Sequence, residues 1–368
     1  MRKSSLIALA LLGFEGCNNL AGPRGPSGPG PDLTVVQAVD VGTVQQGAQV
    51  GGRDGGASTL FQGHSVWLYS DTFLGHPNYQ GYTLISDSWA WTSTLSVGNG
   101  GITGFSQQVD ATGDPAMFLP LTPAEVQYNA EHTARWALWL ASIAVDSVRN
   151  RALVFYNYIY DDPSGFNHLG TSVAAWGGIG QTPVRPTIDP SADHPDLLFG
   201  QNEPDFGGAT LMVNGTLYAY SCGSSQNGKP CLLGRVDPAN VWDRSAWTYY
   251  AGNGTWSTNL SSAAVVFEGL DILSVSWNAY LQRYIAIYAY PLTNNVMART
   301  ATKPEGPWSG ERKIFTARVP NDGSDTYDAQ AHPEYDVGGG QTMYVSYSRG
   351  TGDFTSEIRL EAITFGRP

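Results

Sequence analysis

Residues 51–74 read GGRDGGASTLFQGHSVWLYSDTFL, and the fold and its chemistry both start there. The apolar run 57–61, a turn at Gly63-His64 and a returning run 66–69 predict a β-hairpin. Pairing Gln62 with Ser65 sets Asp71 opposite Gly56, with Asp54 two positions further along the same face. Diagonal neighbours of this kind hold their Cβ atoms roughly 7–8 Å apart. Two acids beside glycines that bare the backbone suit a hydrolytic site.

The hairpin recurs. Runs ending in Tyr69, Tyr156, Tyr220, Tyr288 and Tyr347 each follow a β-like run and a turn, of which Asn214-Gly215 is the strongest hairpin signal. Further strand-like runs follow at residues 232–236 and 296–300, so each unit reads as four antiparallel strands. Five such units over residues 33–368 predict an all-β, five-bladed β-propeller, with a β-sandwich as the alternative. Pairing residues 33–44 with 357–365 would close the ring and hide its sheet edges. No long amphipathic helix is expected.

In a propeller, residues that precede a first strand or follow a second one converge on one mouth. Blade one brings Asp54 and Asp71 there, blade two Asn157 and Tyr158, and blade three Glu203 and Asp205. Blade four adds Glu268 and Asp271, and blade five adds Asp328 and His332. Asp54 and Asp71 are the expected catalytic pair. Arg53, Glu203, Asp205, Asp328, His332 and Trp136 are the expected substrate-binding residues. Each also has a structural reading: Asp54 caps a turn, His332 bonds buried polar groups, and Trp136 and Trp139 pack inside a blade. The sequence has no G-x-S-x-G elbow, no H-E-x-x-H and no phosphate-binding Gly-Lys-Ser/Thr loop.

Composition narrows the ligand. A net charge of −12 argues against nucleic acid, whose binding rests on Lys and Arg. Neutral sugars that stack on aromatic rings tolerate an acidic host, and the chain carries 11 Trp and 19 Tyr. Neither a metal nor another cofactor is expected. Cys222 and Cys231 flank a turn-rich loop in an exported chain, which predicts a disulfide.

The pattern Arg53-Asp-Gly-Gly, a hairpin, then Trp67-Leu-Tyr-Ser-Asp-Thr72 resembles the bacterial domain of unknown function 4185, placed in glycoside hydrolase family 183. Residues 276–288, 304–308 and 330–332 are similar to five-bladed glycosidases more broadly. The resemblance implies an endo-D-arabinanase-like propeller that acts on a furanose-containing cell-wall polysaccharide, with the catalytic aspartates falling on Asp54 and Asp71. Where that family commonly has Gly-Asp-Thr, this chain has Ser70-Asp71-Thr72. The expected function is an inverting, two-carboxylate glycoside hydrolase, monomeric and with a polysaccharide substrate. The alternative is a non-catalytic propeller that binds glycans or partners at the cell envelope.

The first residues are a targeting segment. Arg2 and Lys3 precede the short apolar run 6–14, which ends at Gly16-Cys17 like a lipoprotein processing site, although Glu15 departs from the usual pattern. Residues 1–17 are read as the lipoprotein signal, with an ordinary secretory signal as the alternative, and 18–32 as a Gly/Pro-rich tether. The expectation is a bacterial lipoprotein of the envelope, held to the membrane only by lipid on Cys17. Cys17→Ser should move the protein from the membrane fraction to the soluble one, and the wild type should carry an acyl mass that the variant lacks.

Overall fold

The computed structural model describes residues 33–223, 229–290 and 292–367, so Cys17 and the tether lie outside the described residues. The fold is a five-bladed β-propeller. Blade one is built on Val50–Phe61 and His64–Leu74, followed by Ser88–Thr92 and Ser106–Gln107. Blade two runs through Arg135–Asp146, Arg151–Asp162, Gly165–Trp176 and Phe199–Gly200. Blade three opens with Ala209–Val213 and Thr216–Cys222, and blade four with Ser274–Asn278 and Arg283–Ala289. Blade five comprises Tyr327–Ala331, Thr342–Gly352 and Thr355–Phe365, and is completed by Val35–Val44 from the start of the fold.

The first strand of each blade packs beside the first strands of its two neighbours, which makes a closed ring around an axis. The sequence supports this arrangement residue by residue. The five aligned tyrosines all lie on second strands and are all buried, between aromatic and branched neighbours that suit a pleated surface. Four of their hydroxyls find partners, and Tyr69 alone has none; Tyr220, for instance, donates to the carbonyl of Pro304 at 2.7 Å. The hydrophobic core is divided into five clusters, one at each seam between blades. The seam between blades one and five holds Trp67, Tyr69, Ile358 and Leu360.

Closure follows the sequence expectation: Val35–Val44 pairs antiparallel with Thr355–Phe365, from Val35↔Phe365 to Thr43↔Arg359. The outer edge of this strand is then covered by Gly100–Ile102 running parallel to it. That approach needs glycine. A Cβ on Gly101 would sit 1.8 Å from the carbonyl oxygen of Thr43, and its φ of +111° excludes most side chains. The expected disulfide is present between Cys222 and Cys231, which pair directly on adjacent strands.

One element was not anticipated. Pro123–Glu131 is an α-helix, started by a capping box in which Thr122 Oγ1 accepts from Glu125 N and Glu125 accepts from Thr122 N. The signal was present as Thr-Pro-Ala-Glu, with proline at the first helical turn.

Deleting residues 33–44 would strip blade five of its fourth strand and open the ring. The thermal midpoint of the truncated protein should fall well below that of the full chain, as read by circular dichroism or calorimetry.

Candidate active site

The first hairpin turns one residue earlier than expected, which shifts its pairing register by two residues. Gln62 and Gly63 form a two-residue turn with φ of 48° and 81°, so Phe61 pairs with His64 and Leu60 with Ser65. Three irregularities follow from the turn to the open end of the hairpin, one of them at Gly51 and two around Asp54. Gly56 is an extra residue between the pairs Gly55↔Tyr69 and Ala57↔Leu68. Ser70 and Asp71 together then face Asp54, between Gly55↔Tyr69 and Arg53↔Thr72. The two aspartates are therefore opposed across the hairpin, and the diagonal spacing of roughly 7–8 Å that the simple register implied is corrected.

Their carboxyls are held from opposite sides. The hydroxyl of Tyr327, from blade five, donates to Asp54 Oδ1. Trp139 Nε1, from blade two, donates to Asp71 Oδ1 at 3.0 Å. Burial raises both pKa values above the ordinary carboxyl value of 3.8. Asp54 rises to about 6, where the Tyr327 hydrogen bond partly offsets desolvation. Asp71 rises to about 8, because the neighbouring Asp54 charge adds to desolvation. Of the two, Asp71 holds its proton to higher pH than Asp54.

The pair opens into a cavity of about 700 Å³ lined by residues of all five blades. Its walls include Phe73, Tyr82, Trp139, Phe166 and Phe354, together with Asp161, Asp205, Asp271 and Asp328. Arg135 is engaged by Asp161 at 2.9 Å, and Asp271 accepts from Lys229 at 3.1 Å. Asp205 faces the cavity with its pKa raised to about 8, by desolvation first and the Asp271 charge second. Its contact with His168 Nδ1 at 3.4 Å is not an ion pair at pH 7, because burial lowers the histidine pKa to about 4. Asp328 accepts from Gly55 N through Oδ2 at 2.6 Å, and its pKa rises to about 8 through desolvation and the Asp54 charge.

A family profile described as "Domain of unknown function (DUF4185)" matches residues 179–351, just under half of the chain. That match leaves out the hairpin at 51–74. No protein of curated function matches the sequence. Among solved structures, a protein of Bacteroides ovatus provisionally named a hydrolase aligns with a TM-score of 0.56 at 14% identity, over 88% of this chain and 87% of its own. A GH43_1 enzyme of Xanthomonas citri, solved with xylose, aligns with a TM-score of 0.52 at 13% identity, over 91% and 93%. A family 117 glycoside hydrolase of Zobellia galactanivorans aligns with a TM-score of 0.53 at 9% identity, over 90% of each chain. At these identities the likeness shows the fold.

Of the expected binding residues, Asp205 and Asp328 reach the cavity and four do not. Arg53 turns into its own blade, where it donates to Ser88 Oγ at 3.0 Å and Gln107 Oε1 at 2.9 Å and lies over the Tyr69 ring. Burial there makes it part of the core and no partner for Asp54. Glu203 caps the local turn by accepting from Gly200 N at 2.9 Å and pairs with Arg244. His332 is fully buried, stacked on Trp67 with ring centroids 4.0 Å apart, and held by the hydroxyls of Ser58 and Ser346. Trp136 packs against Tyr158, Tyr160 and His194, and the indole that lines the cavity is Trp139. Alternation along the strand carried that signal: Trp139 lies three residues after Trp136, so the two face opposite sides.

The raised pKa of Asp71 has a consequence for stability. Its folded value of about 8 lies above the unfolded value of 3.8, so the folded state holds this proton more tightly. The stability it contributes is complete below about pH 4 and is lost as pH rises toward 8. Asp71→Asn should therefore raise the melting temperature relative to wild type, by an increment that grows between pH 5 and pH 8 in parallel thermal melts.

Proposed function

We propose that the protein is a glycoside hydrolase in which Asp54 is the general base and Asp71 the general acid. The observation that carries this reading is the opposed pair at the mouth of an aromatic-walled cavity, with burial and the Asp54 charge making Asp71 hold its proton to higher pH than Asp54. Such a pair supplies both halves of glycosidic cleavage, one proton to the leaving oxygen and one removed from the attacking water. The names of the GH43_1 and family 117 structures of the same fold support the reading.

Inversion is the proposed stereochemistry. Inverting pairs stand ~6.5–9.5 Å apart to admit a water, while retaining pairs stand ~5–5.5 Å apart. The opposed Cβ atoms start close, but Tyr327 draws one carboxyl toward blade five and Trp139 draws the other toward blade two. Asp205 contacts the sugar from across the cavity. The proposed substrate is a furanose-containing polysaccharide of the D-arabinan kind, a choice that rests on the resemblance of the first hairpin. Envelope attachment through Cys17 belongs to the same proposal.

Purified protein is incubated with arabinans, arabinogalactan, fructans and xylans, and new reducing ends are measured. The expected result is cleavage of a furanose polymer, with product of inverted anomeric configuration by proton NMR and a pH optimum between about 6 and 8. Asp54→Asn and Asp71→Asn should each lower kcat at least about a hundredfold with folding intact. Release from none of these glycans, together with tight binding to one, would favour the non-catalytic propeller.

A further inference from the structure

Asp54 does not stand on its own blade alone. It projects from the irregular stretch Arg53-Asp54-Gly55, which faces the seam with blade five. Two consecutive residues of that blade reach across the seam to it. The Tyr327 hydroxyl donates to the Asp54 carboxyl, and Asp328 Oδ2 accepts the N–H of Gly55, the next residue along.

The residue that makes the second contact is itself in an unusual state. Asp328 has a φ of 55°, left-handed for a residue inside a strand, where the pairing shifts between Tyr327↔Ser348 and Gln330↔Ser346. The residue is 5% exposed, and Oδ1 has no hydrogen-bond partner. The Ser348 hydroxyl lies close enough to favour the ionised form slightly, yet Ser348 Oγ and Asp328 Oδ1 are both left without a hydrogen-bond partner. A left-handed backbone and a half-used buried carboxyl each cost free energy, so the contact to Gly55 is kept against a local penalty.

The geometry points to the Tyr327-Asp328 pair as the positioning element of the site: it sets the direction of the Asp54 carboxyl and the backbone bulge from which that carboxyl projects. This rests on the hydrolase reading. The groups that face Asp328 are Asp54 and Gly55 N from blade one, Ser348 from its own blade and Tyr327 beside it, with Asp71 acting on Tyr327 from the second strand of blade one. No cation is among them. Desolvation first, and repulsion from an ionised Asp54 second, favour the proton on Asp328, so the cluster tends toward a single charge where the attacking water is activated. Tyr327 does the complementary work, because its hydrogen bond favours the ionised form of Asp54.

Three substitutions test this without removing a group assigned to the chemistry. Asp328→Asn keeps an acceptor for Gly55 N, carries no charge and tolerates the left-handed backbone. Asp328→Gly keeps the backbone and removes the acceptor. Tyr327→Phe removes the hydroxyl alone. On the glycan that the wild type cleaves, Asp328→Asn should stay within about threefold of wild-type kcat. Asp328→Gly should lose at least tenfold in kcat with KM changed less than about twofold, and Tyr327→Phe should move the acid limb of the pH profile to higher pH. Wild-type kcat in Asp328→Gly, or equal loss in both Asp328 variants, overturns the positioning role. Carbon-13 NMR of labelled aspartate carboxyls, with the Asp54 resonance assigned by Asp54→Asn, reads the same coupling without substrate. Asp54 should titrate at higher pH in Tyr327→Phe, and an unchanged titration overturns the proposal even if hydrolysis is found. Should no glycan be cleaved, the hydrolase reading falls while the titration still decides whether blade five controls Asp54.

Discussion

The antiparallel pairing of Val35–Val44 with Thr355–Phe365 holds the first residues of the fold against the last, and the site depends on it. Closing the ring presses blade five against blade one, and the polar contacts around Asp54 lie along that seam. Arg53 N donates to Ser356 Oγ at 2.9 Å, Gly55 N to Asp328, and the Ser58 hydroxyl meets both His332 and Glu334. An open chain of four blades would retain Asp71 and Trp139 but would leave Asp54 without Tyr327. Hydrophobic burial drives closure, while the hydrogen bonds across the seam select the register in which it closes.

The strongly perturbed acids do not all belong to the site. Asp87 is fully buried, accepts from the N–H groups of Phe118 and Leu119 at 2.6 and 3.1 Å, and still has its pKa raised to about 7. It secures the connection that leads into blade two and does not line the cavity. What separates Asp54 and Asp71 from Asp87 is the space in front of them. Desolvation is comparable in both places, and access to a ligand is not.

The repeat was legible because each second strand packs a tyrosine into the core and each hairpin needs a turn, as Asn214-Gly215 shows with φ of 49° and 79°. Closure and the disulfide could be read for similar reasons, from strand-like ends and from cysteines that flank a hairpin. The register near Asp54 could not. Glycines at 55 and 56 have no side chain to assign to either face, so alternation is silent where the strand gains a residue. Arg53 and His332 were misplaced because sequence spacing does not bring their partners near: Gln107 lies on the last strand of blade one, and Ser58 and Trp67 reach His332 from across the seam. Glu203 was misread because an acid near the mouth looks the same whether it faces the ligand or an arginine behind it. Asp328 was recognised as a mouth residue, but its grip on Gly55 depends on the closed ring.

The path of the closing strand also sets where the chain enters the propeller relative to the mouth. The turn at Phe354 borders the cavity, so the strand that follows runs away from the mouth to Phe365, where Val35 lies beside it. The chain thus enters the propeller on the side opposite Asp54 and Asp71. An attachment ahead of Val35 would hold the molecule by its back, with the mouth turned outward and open to polymers too large to slip beneath it.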